Sequence, residues 1–266
     1  MTPEPGSEAA PHGLWSAPGG ASLLTLVINL ERSTQRLQAM SHRLQALGLP
    51  WRRLPAVDGR ALAGRWPAGE VDEPGYRRWH GRPLPAPEVG VYLSHLQALR
   101  TFLDSPATHA LVLEDDALPE PGCRQAIEAL LAQPDAWDLA KLSGFHAGTP
   151  VAGRPLGAGF SLAVPLTQQM NAAAVVFSRD AARAVLGALV PMRLPYDHAL
   201  ERPWTYGSRL RIVVPSPFGA QDGSPSTISG GRTQKFGGWQ RLRTHAFRVR
   251  NESRRLAWAL GQWLRR

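Results

Sequence analysis

The sequence predicts a single α/β domain with a central, mostly parallel sheet flanked by helices, followed by an amphipathic C-terminal helix. Three observations lead to this fold class. Continuous apolar runs of strand length alternate with segments whose apolar residues recur every three or four positions. The first strand, helix and strand follow one another closely, as in the βαβ units of parallel sheets. The last part of the chain combines helical periodicity with many arginines.

Each predicted element has its own signal. "SLLTLVINL" (22–30) is apolar throughout, as strands buried on both faces are, and the helix after it ends at Gly48. A second strand is predicted in "WRRLPAVDG" (51–59), residues 60–87 are predicted to be an irregular insertion, and a long helix begins near Pro87. The remaining predicted elements, in order, are the strand "HALVLEDDA" (109–117), the helix "CRQAIEALLA" (123–132), the strands "WDLAKLSG" (137–144) and "NAAAVVFS" (171–178), a helix over 179–189, the helix "DHALERPWTYG" (197–207) and the strand "RLRIVVPSP" (209–217).

These signals divide the chain into three parts. Residues 1–20 are rich in Pro, Gly, Ser and Ala without a period and are predicted to be a disordered leader. Residues 21–235 form the predicted α/β domain. Residues 236–266 form the predicted basic amphipathic helix.

The positive charge is concentrated at the C-terminus. The chain carries a net charge of +9, and residues 241–266 hold eight arginines against one acid, which is +7 of that total. Only +2 remains for the rest of the chain, so a nucleic-acid-binding module with basic residues spread over its surface is disfavoured. We therefore expect no nucleic-acid partner. A basic tail suits anionic lipid at least as well.

Cysteine content and hydropathy constrain the compartment. The single cysteine, Cys123, excludes internal disulfides and cysteine-based zinc sites. No apolar run approaches the roughly 18 to 20 residues of a membrane span, and the first 20 residues lack the basic-then-apolar order of a secretory signal. We therefore expect a cytoplasmic protein, either free or attached to the inner face of the cytoplasmic membrane.

Three consecutive carboxylates, Glu114, Asp115 and Asp116, follow a buried strand in "ALVLEDDALPEP" (110–121). Ligands of open α/β sheets bind at the carboxyl ends of the strands, and a divalent cation there would relieve the repulsion between the three charges. Oxygen ligands favour Mg²⁺ or Mn²⁺. Strand alternation predicts that Glu114 and Asp116 point the same way and Asp115 the opposite way. The alternative is an acidic cap on the helix that begins near Pro121.

Six segments in fixed order carry a family resemblance: "VINLERSTQR" (27–36), "GLPWRRLPAVDG" (48–59), "EVGVYLSHLQALR" (88–100), "LVLEDDA" (111–117), "WDLAKLSG" and "LPYDHALER" (194–202). Together they resemble glycosyltransferase family 25 over roughly residues 23–228. That family contains the lipopolysaccharide and lipooligosaccharide glycosyltransferases of bacteria and the collagen galactosyltransferases of animals. The resemblance implies a GT-A-like fold in the catalytic domain and inverting, nucleotide-sugar-dependent, usually metal-dependent activity.

The resemblance also implies donor-binding roles. Glu114 and Asp116 would hold Mn²⁺ or Mg²⁺ against the diphosphate of a UDP-hexose, and Glu114 and Asp115 would contact the donor. The first strand matches the family at Asn29, whose amide would bind the uracil or ribose, and at Arg32 and Arg36, which would bind phosphate oxygens. The alternative for these three is a strand-end cap and a solvated helix face.

Further roles fall on a helix and two loops. Ser94 and His95 are adjacent on a helix and so cannot act as a nucleophile and base toward each other, which leaves donor contact or core packing. Asp197 is the candidate catalytic base, with helix capping as the alternative, and His198 a weaker candidate third metal ligand. In "QDGSPSTI" (221–228), Gln221 and Ser226 would line the donor site, unless this is an ordinary surface loop.

The expected function is the inverting transfer of galactose or glucose from a UDP-sugar to a hydroxyl of a lipopolysaccharide, lipooligosaccharide or related surface glycan. A metal-dependent nucleotidyltransferase is the alternative enzyme, but "NLERSTQR" lacks the glycines of a phosphate-binding loop. In the C-terminal segment, apolar residues at near-helical spacing and arginines on other faces suggest a helix lying on an anionic membrane surface beside a glycolipid acceptor. The alternative is a helix that packs on the catalytic domain with solvated arginines.

Overall fold

A computed structural model describes residues 13–17, 20–144, 146, 148–220 and 242–264. The strands in these residues are β1 (Leu14–Ser16), β2 (Ser22–Asn29), β3 (Arg52–Pro55), β4 (His109–Glu114), β5 (Ala117–Pro119), β6 (Leu139–Lys141), β7 (Pro150–Gly157), β8 (Phe160–Pro165), β9 (Ala174–Ser178), β10 (Leu210–Val214) and β11 (Phe218–Ala220). The helices are α1 (Thr34–Ala46), α2 (Glu73–His80), α3 (Ala86–Leu103), α4 (Cys123–Leu131), α5 (Arg179–Leu189), α6 (Tyr196–Leu200) and α7 (Leu242–Leu264).

One mixed sheet forms the centre of the fold. Its strand order is β1-β2-β4-β9-β6-β10-β8-β7, with β3 also paired to β2, while β5 and β11 form a separate small sheet. Strands β2, β3, β4, β6 and β10 all run in one direction, and β9 runs in the opposite direction between β4 and β6. The predicted α/β domain with a mostly parallel central sheet and a C-terminal helix is therefore confirmed, with one reversed strand near its middle.

The central sheet divides the apolar core into two parts, one on each face. Alternate residues of β2 and β4 point to opposite faces, so Leu26 and Val112 lie on one side and Val27 and Leu113 on the other. Helices α1 and α4 cover the second face, and α3, α5 and α6 cover the first. Strands packed on both faces need continuous apolar sequence, which is why β2 and β4 read as apolar runs.

The structure corrects four predictions. Residues Leu14–Ser16 pair antiparallel with β2, so this part of the expected leader is ordered. The expected irregular insertion contains α2, and the hairpin of β7 and β8 was not foreseen. The predicted helix over 197–207 divides into the five-residue α6 and a 3₁₀ turn at Pro203–Thr205.

Helix α7 packs on the same side of the sheet as α3, where Phe247 joins the core beside Trp79 of α2. Among the described helices, α7 included, there is none with the length and apolar character needed to cross a bilayer.

Candidate functional site

The candidate site lies where three parallel strands end together. Asn29 at the end of β2 is in register with Pro55 of β3, and its neighbour Ile28 is in register with Glu114 of β4. The loops that follow these strands, with the N-terminal half of α3, line an open cleft.

The cleft collects most of the residues predicted from the sequence. Its polar and charged lining residues are Arg32, Ser33, Arg36, Asp58, Arg60, Ser94, His95, Glu114, Asp115 and Asp116. Arg32 and Arg60 lie close to Asp58. Arg36 lies close to Asp115 and Asp116. The cleft therefore presents both positive and negative charge to a ligand. Of the predicted residues, Gln221 and Ser226 lie outside the described part of the chain.

The acidic segment is a turn and not an extension of the strand. Strand β4 ends at Glu114, and Asp115 and Asp116 form the turn before β5. Strand alternation therefore does not apply beyond Glu114, and the expectation that Asp115 points away from its neighbours is wrong: all three carboxylates line the cleft. Burial, followed by the charges of Glu114 and Asp115, raises the pKa of Asp116 to about 6.

Asp115 is hydrogen-bonded to Asn29 at the end of β2. Its carboxylate accepts a hydrogen bond of 2.7 Å from Asn29 Nδ2, and Arg36 Nη1 donates to it across 3.2 Å. The Asn29 amide also donates to the Ser33 carbonyl oxygen (3.0 Å) and accepts from Arg53 Nε (3.2 Å).

Asn29 is 1% exposed and does not line the cleft. Both hydrogens of its amide are already donated within the protein. The predicted direct contact between Asn29 and the uracil or ribose is therefore not supported by the geometry. Asn29 instead positions Asp115.

Arg32, in the loop after β2, and Arg36, in α1, both line the cleft but have different partners. Arg32 pairs with Asp58, an acid in the loop after β3 that the sequence analysis did not assign. Burial alone would raise the pKa of Asp58, but hydrogen bonds from Arg32 and from the Arg60 backbone N–H outweigh it and lower the pKa. Arg36 lies 3.9 Å from Asp116 Oδ2 as well as contacting Asp115.

Glu114 is fixed on its other side by α3. His95 Nε2 lies 3.1 Å from Glu114 Oε1, and the His95 ring stacks on Tyr196 of α6 with centroids 4.0 Å apart and planes 11° apart. His95 is 1% exposed, so its position is determined by packing as well as by the carboxylate. Tyr196 had no assigned role in the sequence analysis, although it lies in the quoted "LPYDHALER".

Ser94 of α3 is hydrogen-bonded to the loop that directly follows β3. Its hydroxyl accepts from the Val57 backbone N–H (2.8 Å) and donates to the Gly90 carbonyl oxygen (2.6 Å). A Cβ at Gly90 would lie 2.5 Å from the Val57 carbonyl oxygen, which is too close for any other residue type. Ser94 thus positions the loop that carries Asp58, and its hydroxyl is occupied by backbone groups.

Asp197 lies beside the cleft and is not part of its lining. Its carboxylate oxygens accept from the Asn171 backbone N–H (3.2 Å) and from the His198 backbone N–H (2.8 Å). The Asn171 loop in turn reaches the acidic turn, because the Glu114 backbone N–H donates to the Ala173 carbonyl oxygen (2.8 Å). The alternative role of Asp197 as a helix cap is not supported, because Pro195 is the N-cap of the five-residue α6 and no side-chain hydrogen bond caps it.

The surroundings of Asp197 are acidic and aromatic. Glu88, at the start of α3, accepts a hydrogen bond from the Tyr76 hydroxyl, and burial followed by the charge of Asp197 raises its pKa. The ring of His198 lies edge-on to His80 with centroids 5.5 Å apart and is not part of the cleft lining. The geometry does not support His198 as a metal ligand.

The carboxylates fit a divalent cation held only partly by the protein. Within the described ranges there is no group of three or more His, Cys, Asp or Glu side chains arranged to hold a metal ion. Glu114 and Asp116 offer hard oxygen ligands to the same cleft, and the pKa of Asp116 is raised by burial and then by the charges of Glu114 and Asp115, a repulsion that a cation would relieve. Mg²⁺ and Mn²⁺ are usually bound in this way, by one or two carboxylates together with phosphate oxygens.

Comparisons with known proteins give a family match and several relatives. Residues 23–147 match the sequence model described as Glycosyltransferase family 25 (LPS biosynthesis protein). A "Glycosyltransferase 25 family member" of Anopheles gambiae is 36% identical over 119 residues, which is 42% of this chain and 20% of that protein. "Procollagen galactosyltransferase 1" of Danio rerio is 32% identical over 124 residues, again 42% and 20%. The chain thus covers about a fifth of the length of these relatives.

Among solved structures, a glycosyltransferase involved in glycosylation of the major capsid of PBCV-1 superimposes with a TM-score of 0.41 and 12% identity, over 85% of this chain and 98% of that one. The sequence matches are the more specific result. The matched segment of the family contains β2, the acidic turn and His95, which are the elements that build the cleft. The resemblance predicted from the sequence is therefore confirmed over residues 23–147, where the chain is similar to glycosyltransferase family 25.

Proposed function

We propose that this protein is an inverting glycosyltransferase that moves a hexose, galactose or glucose, from a UDP-sugar to a hydroxyl of a lipopolysaccharide, lipooligosaccharide or related surface glycan. The observation that carries the proposal is the cleft at the carboxyl ends of β2, β3 and β4. It combines the carboxylates of the acidic turn with arginines from the first loop and helix. The similarity of residues 23–147 to glycosyltransferase family 25 supports the reaction class.

The donor diphosphate would lie between the acidic turn and the arginines. Glu114 and Asp116 would hold Mn²⁺ or Mg²⁺, which when bound stabilises the negative charge that develops on the leaving diphosphate. Arg32 is half exposed at the cleft, so it can turn from Asp58 toward a phosphate oxygen. His95 and Asn29 would keep the Glu114 and Asp115 carboxylates in place for this task.

Asp197 is the residue we assign as the base. Each of its carboxylate oxygens accepts one backbone hydrogen bond and retains a lone pair that can take the proton of an acceptor hydroxyl. Inversion requires that hydroxyl to attack from the face opposite the diphosphate. The position of Asp197 outside the donor cleft, yet joined to the acidic turn through Asn171 and Ala173, agrees with such an arrangement.

The choice of acceptor is supported by names alone. The family description refers to lipopolysaccharide biosynthesis, and the relative in Danio rerio is named as a procollagen galactosyltransferase. The first favours a surface glycan and the second favours galactose as the sugar. The nucleotidyltransferase alternative gains no support from the structure, because the connection from Leu30 to Ser33 between β2 and α1 contains no glycine-rich phosphate loop.

The first test is release of UDP from a panel of UDP-sugars with Mn²⁺ or with EDTA. We expect metal-dependent turnover of one donor, a loss of at least ~100-fold in Asp116→Asn, and a comparable loss in Asp197→Asn only when an acceptor is supplied. The matched control is Asp104→Asn, which makes the same chemical change at an exposed residue that ends α3.

The two site variants separate the parts of the proposal. Donor binding that survives in Asp197→Asn but not in Asp116→Asn assigns the first residue to the acceptor step and the second to the donor step. The donor site assigned to the cleft is wrong if no UDP-sugar binds in a metal-dependent way. It is also wrong if Asp104→Asn lowers UDP release as much as Asp116→Asn does.

A further inference from the structure

Helix α7 has an apolar outer surface that the described residues of the catalytic domain do not cover. The large hydrophobic residues that are exposed in the described part of the chain all lie on this helix, with 47% to 79% of each residue accessible to solvent. They are Leu242, Val249, Leu256, Leu260, Trp263 and Leu264. Scattered exposed leucines are common on protein surfaces, but six on one helix form a continuous patch.

The six residues occupy one side of the helix. Leu242, Val249, Leu256 and Trp263 follow at intervals of seven residues, and Leu260 and Leu264 lie a turn from Leu256 and Trp263. At about 100° per residue all six fall within an arc of roughly 100°. We call this surface the outer stripe.

The opposite side of α7 is fixed to the domain. The Thr244 hydroxyl donates to the Arg78 carbonyl oxygen (3.0 Å), and Arg202 Nε donates to Asn251 Oδ1 (2.8 Å). Phe247 stacks on Trp79 with ring centroids 5.1 Å apart, and Arg255 is 1% exposed. The helix is therefore presented in a fixed orientation, with its outer stripe away from the protein core.

Three arginines follow one long edge of the outer stripe. Arg243, Arg250 and Arg254 are exposed and form no ion pair with the described residues. Glu252 is the one acid of α7; it lies at the opposite edge of the outer stripe, 3.4 Å from the buried Arg255. The edge of the outer stripe is thus positively charged without compensation from its own helix.

We propose that the outer stripe of α7 binds the surface of an anionic lipid bilayer, with the helix lying in the plane of the membrane. The apolar residues would enter the boundary between headgroups and acyl chains, where tryptophan is favoured. Arg243, Arg250 and Arg254 would contact anionic headgroups.

A second copy of the chain is the other occupant that an apolar helix face can take. Two copies joined through the outer stripe would bring the same unpaired arginines near each other, and the Glu252 carboxylate already lies beside Arg255. Anionic lipid supplies the missing negative charge. The charge pattern therefore favours the bilayer over self-association.

The test is co-sedimentation of the full chain with vesicles of phosphatidylcholine containing 30% phosphatidylglycerol, and with vesicles of phosphatidylcholine alone. We expect binding to the anionic vesicles that weakens as salt rises, and at least tenfold weaker binding to the neutral ones. The double variant L256D/L260D should lower binding to anionic vesicles by at least about tenfold, because it places charge in the apolar face. Replacing Arg243, Arg250 and Arg254 with alanine should remove the difference between the two vesicle types.

The matched control is Ala188→Asp, which adds a carboxylate at an exposed residue of α5 and should bind vesicles like the original protein. The molecular mass in solution and release of UDP from the donor are measured on the same variants. Equal binding of the original protein and L256D/L260D overturns the proposal. The proposal is also overturned if the original protein does not bind vesicles and instead forms a dimer that the L256D/L260D substitutions dissociate. Vesicle binding is independent of donor turnover, so a failure of the proposed enzymatic function would leave this result interpretable.

Discussion

At the residue scale, the carboxylates of the acidic turn depend on neighbours that hold them in position. Asn29 holds Asp115, His95 holds Glu114, and Tyr196 holds His95 through ring stacking. Such outer contacts orient metal-binding carboxylates and commonly change metal affinity by ~10 to 100-fold when removed. The sequence placed Asn29 and His95 near the donor, but it could not distinguish a residue that touches the donor from one that positions another residue.

His95 is predicted to act as a positioning residue. In His95→Ala, Glu114 loses its partner, and we expect the Mn²⁺ concentration for half-maximal UDP release to rise ~10 to 100-fold. His95→Gln, whose amide can still donate to Glu114, should recover part of that loss. The measurement is a Mn²⁺ titration of UDP release.

Tyr196→Phe is the matched control for His95. The Tyr196 hydroxyl is buried and has no hydrogen-bond partner among the described residues, whereas its ring makes the stacking contact. Removing only the hydroxyl should leave the Mn²⁺ titration unchanged. A shift in Tyr196→Phe as large as that in His95→Ala would show that general loss of packing, and not the contact with Glu114, causes the effect.

Asp116 predicts a pH dependence for metal binding. Its pKa of about 6 lies above the ordinary value of 3.8, because burial and then the charges of Glu114 and Asp115 favour the neutral form. A cation binds the carboxylate and not the acid, so affinity should rise as pH increases from 5 to 7 and level off above. Below pH 6 the apparent affinity should fall by up to ~10-fold per pH unit.

Calorimetric titration of Mn²⁺ into the protein with a UDP-sugar measures this dependence, since the diphosphate of such a donor is a diester that does not titrate in this range. Asp116→Asn should bind weakly with a flat profile. An unchanged slope in Asp116→Asn would assign the dependence to another group.

At the element scale, the cleft requires a close approach between the loop after β3 and helix α3. Gly59 and Gly90 permit it: a Cβ at Gly59 would lie 1.8 Å from the Ala86 carbonyl oxygen. The quoted segments "AVDG" and "EVGVYLSH" contain both glycines, but the reason for them appears only when the two segments are packed together. Helix α2 shows the reverse case, because its signals were local: Asp72 accepts from the Gly75 backbone N–H, and Gly81 ends the helix at φ 73°. The many glycines, prolines and arginines of residues 60–87 obscure these two signals in the sequence.

Gly90→Ala should destabilise the fold, because its Cβ would collide with backbone at Val57 and Gly59. We expect a loss of at least ~2 kcal/mol in the free energy of unfolding, measured by chemical denaturation, together with lower donor affinity. Gly187→Ala in α5 is the matched control, since nothing lies within 4 Å of its new Cβ. It should be neutral or stabilise the protein by up to ~1 kcal/mol, as expected for alanine in a helix. Equal effects of the two substitutions would contradict the close approach.

At the scale of the whole molecule, a cluster of three buried charged side chains, Lys141, Glu201 and Arg255, connects the sheet, the region of Asp197 and α7. Lys141 of β6 is fully buried and pairs with Glu201 just after α6, and Arg255 of α7 lies 3.8 Å from Glu201. Lys141 Nζ also donates to the Met170 carbonyl oxygen (2.9 Å), and Glu201 accepts from the Gln169 backbone N–H (3.1 Å). The same group therefore orders the loop that reaches Asp197 through Asn171.

Glu201→Gln should be strongly destabilising, because it leaves the buried Lys141 with no carboxylate beside it and Arg255 with only the half-exposed Glu252. We expect a loss of ~3 to 5 kcal/mol in the free energy of unfolding. Glu252→Gln is the control, since Glu252 also contacts Arg255 but is about half exposed, and it should cost less than ~1 kcal/mol. Chemical denaturation of both variants decides the point. If the two losses are equal, burial of the charged group does not matter to stability.

The sequence by itself determined most of the central elements and the resemblance to glycosyltransferase family 25. Continuous apolar runs identify β2 and β4 because strands covered on both faces have no polar side, and the acidic turn is visible because it directly follows such a run. The charge of the tail and its helical period likewise belong to local sequence. These properties involve neighbours along the chain, so one sequence is enough to read them.

The tertiary structure decided which of these residues meet. The reversal of β9, the occupied amide of Asn29, the pairing of Arg32 with Asp58 and the stacking of Tyr196 on His95 join residues far apart in the chain. Only the tertiary structure showed which face of α7 is fixed to the domain and which is left exposed. The physical reason is that burial and hydrogen-bond satisfaction are properties of the packed molecule: a polar side chain has the same identity whether the fold or a ligand takes its hydrogen bonds.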